Sequence, residues 1–245
     1  MCLKTHTPQV DNPSMEQTTL FIVVGGLLVL TLVLASIIQR YNDFVEERNQ
    51  KVQRILNRVT EIEALIGRIP GLPIPAEAET LLRRDIHARL LALQQMHPKY
   101  EGIRQMIQAA EQAIGQVKPE SEERLLDTAR LEQFSRLSSE ISWLLKENRL
   151  LTPVTDSVRE QLTTKLEFRR VETAYHHHIR QAERLIKGQQ LHQAQWYCSQ
   201  MKTLIEPWSH SNKQAVGWYQ EVLKVCKKVS SGLKGEAQSK GSSSS

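Results

Sequence analysis

Aromatic side chains are scarce, at 5% of 245 residues, and no stretch alternates apolar and polar residues between turn formers. A sheet is therefore not expected. Cysteine is limited to Cys2, Cys198 and Cys226; an odd number at irregular spacing makes no disulfide framework, so reduced thiols are the default. Cys198 and Cys226 both fall on apolar stripes, where a free thiol acts as a small hydrophobe. Glycine and proline are few, 11 and 9, and they cluster between long apolar-periodic stretches instead of interrupting them.

The chain also lacks the patterns that carry catalysis. It has no Gly-rich phosphate loop, no nucleophile elbow, no HExxH and no compelling Ser/His/Asp or Cys/His combination. No enzyme, cofactor or small-molecule substrate is predicted. The formal charge of +5 is concentrated at the end: residues 224–245 carry Lys224, Lys227, Lys228, Lys234 and Lys240 against Glu236, leaving +4 there. With no nucleic-acid-binding module in the chain, this reads as a solvated end or a weak contact for anionic lipid, and nucleic acid is not expected as a partner.

One long hydrophobic run is present. Residues 20–38, LFIVVGGLLVLTLVLASII, hold no charge and only Thr31 and Ser36 as polar side chains, enough at ~1.5 Å per residue to span a bilayer core. The short tail before it, residues 1–19, has one lysine, Lys4, beside Asp11 and Glu16, and lacks the basic segment and small-x-small site of a cleaved signal peptide. A single-pass anchor is expected. Arg40, Arg48, Lys51, Arg54 and Arg58 follow the run, a bias that puts the C-terminal region in the cytoplasm, at the inner membrane if the source is bacterial. Gly25 and Gly26 are adjacent and do not make a GxxxG face.

Beyond the span, residues 39–69 carry a heptad stripe that begins at Ile38. Ile38, Val45, Val52, Val59 and Ile66 occupy a, and Tyr41, Arg48, Ile55, Ile62 and Ile69 occupy d. Nine of the ten are apolar, so the membrane helix is expected to continue into a coiled-coil-like stalk. Periods of 3.5 and 3.6 are hard to separate over this length, so the stripe can pack within the chain, the favoured reading, or between chains.

The stretch PGLPIPA, residues 70–76, reads as a rigid turn or short linker. A helical bundle is predicted over 77–187. Leu82, Ile86, Leu90 and Leu93 mark one helix, and Pro98 suits the start of the next. Ser121 is a candidate cap for a long helix ending near Leu151, and Thr155 or Asp156 caps another that runs to Lys187 before Gly188. Residues 188–229 form a last helical pair, and 230–245 have the composition of a disordered tail. The fold class is all-α: one transmembrane helix, a stalk and an antiparallel bundle.

Tyr41, Asn42, Val45, Arg48, Asn49 and Val52, in YNDFVEERNQKVQ directly after the span, give the chain a resemblance to the LemA family. A weaker echo is LEFRRVETAYHHHIRQ, residues 166–181, so the resemblance covers residues 20–187. The family's Arg-Arg-x-Asp-Leu-Ile-Pro-Asn-Leu-Val signature is absent; LLRRDI, residues 81–86, stands nearest to it. The resemblance implies a membrane-anchored helical bundle and no defined activity.

Two clusters stand out as candidate sites. His176, His177 and His178 are consecutive, and on a helix their side chains diverge by ~100°, so a metal would need His192 or Cys198 from the next helix; no metal is predicted. Trp196, Trp208, Trp218, Tyr197 and Tyr219 gather near the C-terminus. Core packing of a hairpin accounts for them most simply; Trp196, Trp208, Trp218 and Tyr219 are also the candidate interaction surface. The functional expectation is a membrane-anchored scaffold or adaptor whose partners are membrane lipid and other proteins. The alternative is self-association as a structural component of an envelope complex.

Overall fold

The computed structural model describes residues 15–117 and 126–242, with side chains from 23 to 117 and from 126 to 234. It is all-helical, with 83% helix, seven α-helices and no strand among the described residues. The chain divides into two compact units, Met1–Arg54 and Ile55–Ser245.

The first helix, α1 (Met15–Gly67), passes through that division. In the first unit its side chains from Val23 to Glu47 are exposed, and a Glu47–Lys51 pair at 2.8 Å supports the helix near its charged end. In the second unit the same helix turns inward, with Val59, Ile62 and Leu65 buried.

The Pro-rich segment after α1 is a packed turn. Leu72 and Ile74 are almost fully buried, and Leu72 N donates to Ile69 O at 2.9 Å. Gly71 has φ +77°, the left-handed backbone that favours glycine, and the Arg130 guanidinium lies beside it.

Helix α2 (Ala76–Met96) begins with Glu77 and Glu79 at its positive end and buries Ala78, Leu82, Ile86, Leu90 and Leu93 at helical spacing. Helix α3 (Ile103–Gly115) packs on α2. It starts later than Pro98, because residues 97–102 form turns closed by Tyr100 N to His97 O at 2.9 Å, and Gly102 at φ 75° stands at the N-cap.

The expected cap at Ser121 lies outside the described residues. Helix α4 (Thr128–Lys146) is capped by Asp127, whose carboxylate accepts from Arg130 N at 2.8 Å. It stops at Lys146, short of the expected Leu151, because Asn148 adopts φ 50°. Arg149 N then donates to Leu144 O and Asn148 N to Leu145 O, a Schellman closure with asparagine in the left-handed position.

Helix α5 (Asp156–Lys187) has the predicted bounds, and Thr155 Oγ1 accepts from Val158 N. The left-handed residue behind it is Gln189, φ 56°, while Gly188 keeps φ −83°. This 32-residue helix is the spine of the second unit. It packs against α4 and against α6 (Leu191–Ile205), and α6 in turn packs on α7 (Lys213–Ser242). Between α6 and α7 Pro207 sits in a 3₁₀ turn, and Asn212 Oδ1 accepts from Gln214 N and Ala215 N to start α7.

The expected disordered tail from residue 230 is a correction: α7 continues through Ser242. Val229 is buried and Leu233 packs on the core formed by α5, α6 and α7. Gly232 lies so close to Leu191 that a Cβ would meet Leu191 Cδ1 at 2.6 Å.

Candidate functional site

The apolar stretch of α1 is the first candidate, a surface rather than a pocket. Leu27, Leu28, Val29, Leu30 and Leu32 are each at least 57% exposed, and none of the most apolar 18-residue window is buried. Thr31 Oγ1 donates to Leu28 O at 2.8 Å, so that hydroxyl is satisfied within the helix. This is one helix long and apolar enough to cross a membrane.

The predicted seam is divided by its surroundings. Ile38, Tyr41 and Val45 are exposed, Ile55 and Ile66 are half-buried, and Val52, Val59, Ile62 and Ile69 are buried. Arg48 is half-buried. Intrachain packing therefore accounts for the later part of the stripe and leaves Tyr41, Phe44 and Val45 facing solvent.

The aromatic candidates also separate. Trp218 lies stacked between Phe168, with ring centroids 5.5 Å apart, and Tyr175, at 5.0 Å. Trp208 leans on Phe168 at 5.4 Å. Trp218 is a core residue, Trp208 and Tyr219 pack partly buried against that core, and Trp196 is 55% exposed. Trp196 stands edge-on to Tyr197 at 4.8 Å, which makes it the outward member of the group.

Sequence reading missed Phe168 and Tyr175, the α5 partners of Trp218. They are seven residues apart on one helix face, the available local signal, but the tryptophan they hold lies more than 40 residues away in sequence. The Tyr175 hydroxyl donates to Glu221 Oε2 at 2.5 Å. Burial, followed by that bond and the Glu221 charge, pushes the phenol above its usual range. Glu172, 2% exposed, accepts from Arg169 Nη1 at 2.5 Å and Gln214 Nε2 at 3.2 Å, so the buried charge is compensated.

The three histidines do enter three environments. His177 is buried with Nδ1 2.9 Å from Leu126 O; a carbonyl only accepts, which assigns the proton to Nδ1. His178 packs against Tyr197 at 5.5 Å, and burial, then the neighbouring His177, lowers its pKa. His176 lies 5.9 Å from the Trp218 ring. Among the described residues no group of three or more His, Cys, Asp or Glu is placed to hold a metal. His192 is exposed, and Cys198 is buried in the core against which Cys226 packs.

Another buried network was not foreseen. Asp85, fully buried, accepts from Leu151 N, from Thr152 N at 3.0 Å and from Arg89 Nε at 2.6 Å. Arg89 Nη2 donates onward to Arg149 O at 2.9 Å. The network clamps α2 to the connection before α5. Beside it an open groove of about 580 Å³ runs between Glu77, Leu81 and Arg84 of α2 and Val158, Leu162 and Lys165 of α5.

No known family, characterised protein or solved structure matches this chain.

Proposed function

We propose that the chain is a membrane-tethered, non-catalytic scaffold or adaptor, whose helical body binds other proteins at the inner face of a bacterial-type membrane. The carrying observation is the uncharged helical surface from Val23 to Ile38, exposed throughout. Left in water it would be an apolar patch far larger than soluble monomers tolerate; placed in lipid it needs no further partner. The Lys and Arg bias after the span supports a cytoplasmic C-terminal side.

In this reading α1 sets the distance from the bilayer and α2 to α7 form an antiparallel bundle. The LemA resemblance is consistent with that architecture and adds no activity. Self-assembly is the second reading, and exposed Tyr41, Phe44 and Val45 favour it. Tyr41 and Val45 continue the heptad stripe where intrachain burial has ended, with Phe44 beside them at g, so a parallel coiled coil would pair them with a second copy.

Fractionation tests the tether. The full chain is expected in the membrane pellet after alkaline carbonate washing and to need detergent for release. Val29→Arg with Leu30→Arg should move it to the supernatant, since each central arginine costs ~2.5–3.5 kcal/mol of insertion. Recovery of the unaltered chain without detergent would end the proposal. Proximity labelling from the C-terminus in intact cells then reports sidedness and neighbours; labelling confined to non-cytoplasmic proteins would reverse the orientation.

A further inference from the structure

We propose that Cys198 and Cys226 form an oxidisable pair, which a peroxide converts to a disulfide joining α6 to α7. The two thiols come from different helices of one core cluster, Cys198 buried and Cys226 half-buried. Cys226 is the side chain whose proximity perturbs the Cys198 thiol, and both pack in the core shared by α6 and α7, the neighbourhood a disulfide requires.

The register of the two helices agrees. α6 and α7 approach closely where Leu191 meets Gly232. Cys198 lies seven residues beyond Leu191, and Cys226 six residues before Gly232. At ~1.5 Å per residue the cysteines stand about 10 Å from that contact along each helix, at matching heights. Ala194, between Leu191 and Cys198 on α6, is fully buried in the same core.

The surroundings assign different roles to the two sulfurs. Burial, with the Cys226 contact, pushes the Cys198 thiol up to about 12, so it stays protonated at neutral pH. Cys226 reaches solvent and reacts first. Its thiolate attacks one peroxide oxygen; an S–O bond forms, the O–O bond breaks, and the departing hydroxide takes up a proton as water. Cys226 is now a sulfenic acid. The Cys198 sulfur then attacks the Cys226 sulfur, the S–S bond forms, the S–O bond breaks, and the leaving hydroxide carries off the Cys198 proton as a second water. Two thiols and one hydrogen peroxide give one disulfide and two waters.

In a reducing compartment the pair rests as thiols, and peroxide makes a reversible staple between α6 and the helix bearing the lysine-rich end. The first 14 residues, which contain Cys2, lie outside the described residues, so the test uses a Cys2→Ser background. The detergent-solubilised full chain is treated with hydrogen peroxide, alkylated without reduction, and mapped by mass spectrometry. The expected result is loss of both alkylation sites, a mass lower by two hydrogens, and a linked pair of peptides carrying Cys198 and Cys226, all reversed by dithiothreitol. Glutathione treated with the same peroxide in a separate tube confirms the oxidant. Both sites remaining alkylatable while glutathione oxidises would overturn the proposal, as would Cys226 sulfinic acid with Cys198 free, or a linkage only between chains. The unsubstituted pair carries the readout, so the outcome does not depend on a cysteine variant folding.

Discussion

Tyr175 on α5 donates its hydroxyl to Glu221 on α7 while its ring lies stacked on Trp218, 5.0 Å away. One side chain thus contributes both a polar and an apolar link between the spine helix and α7. The two can be separated. Tyr175→Phe keeps the ring and removes the bond, at an expected cost of about 0.5–1.5 kcal/mol; Tyr175→Ala also opens the aromatic core and should cost about 3–5 kcal/mol. Denaturant midpoints of the detergent-solubilised protein measure both. The raised phenol adds a sign: its stabilisation is complete below the unfolded tyrosine value of 10.0 and is lost as pH climbs through the folded one. Tyr175→Phe should flatten that alkaline decline.

Asp85 predicts a larger loss. Asp85→Ala strands Arg89 and two backbone N–H groups at Leu151 and Thr152, and removing one partner of a buried charge pair costs about 3–5 kcal/mol. Asp85→Asn retains a carbonyl oxygen for the backbone donors and should cost less. Hydrogen exchange at Leu151 and Thr152 distinguishes the two, since only the alanine variant should release both amides.

Along α1 the seam should respond in two ways. Ile62→Ala, at a fully buried site, is expected to destabilise the second unit by about 2–5 kcal/mol. Tyr41→Ala, at a site 67% exposed, should leave its stability within about 0.5 kcal/mol. Cysteine placed at Tyr41 or Val45 in a Cys2→Ser background reports self-association: a parallel assembly gives disulfide-linked dimers in membranes, and a monomeric adaptor gives none.

Mild acid should weaken the packing of His178 on Tyr197. Its pKa is lowered from 6.5 by burial and by His177, so the folded state disfavours the charged form. The stabilisation is present above the unfolded value and is lost as pH falls below about 6.5 through the depressed folded one. Thermal melts from pH 7.5 to 5 should show a falling midpoint, with a smaller fall for His178→Gln. An identical slope in that variant would assign the effect to another group.

The helical class, the bounds of α5, and the one run apolar enough to cross a membrane were legible in the sequence, because backbone propensity, capping and 3.6-residue spacing act over a few neighbours. Other boundaries depended on features that lie beyond composition. Asn148 in the left-handed region ended α4 early, and α7 runs past residue 230 with Val229 and Leu233 packed in the core. Composition alone could not show either.

Which apolar residues meet was settled only by the tertiary structure. The heptad pattern treats Tyr41 and Ile62 alike, yet one faces solvent and the other is fully buried. Trp196 and Trp218 look equivalent in the sequence, but Phe168 and Tyr175 stack on Trp218, while Trp196 is 55% exposed. Cys198 meets Cys226 across 28 positions of chain. Local spacing establishes that a face exists; what covers it depends on contacts between residues distant in sequence, which form only when the helices pack.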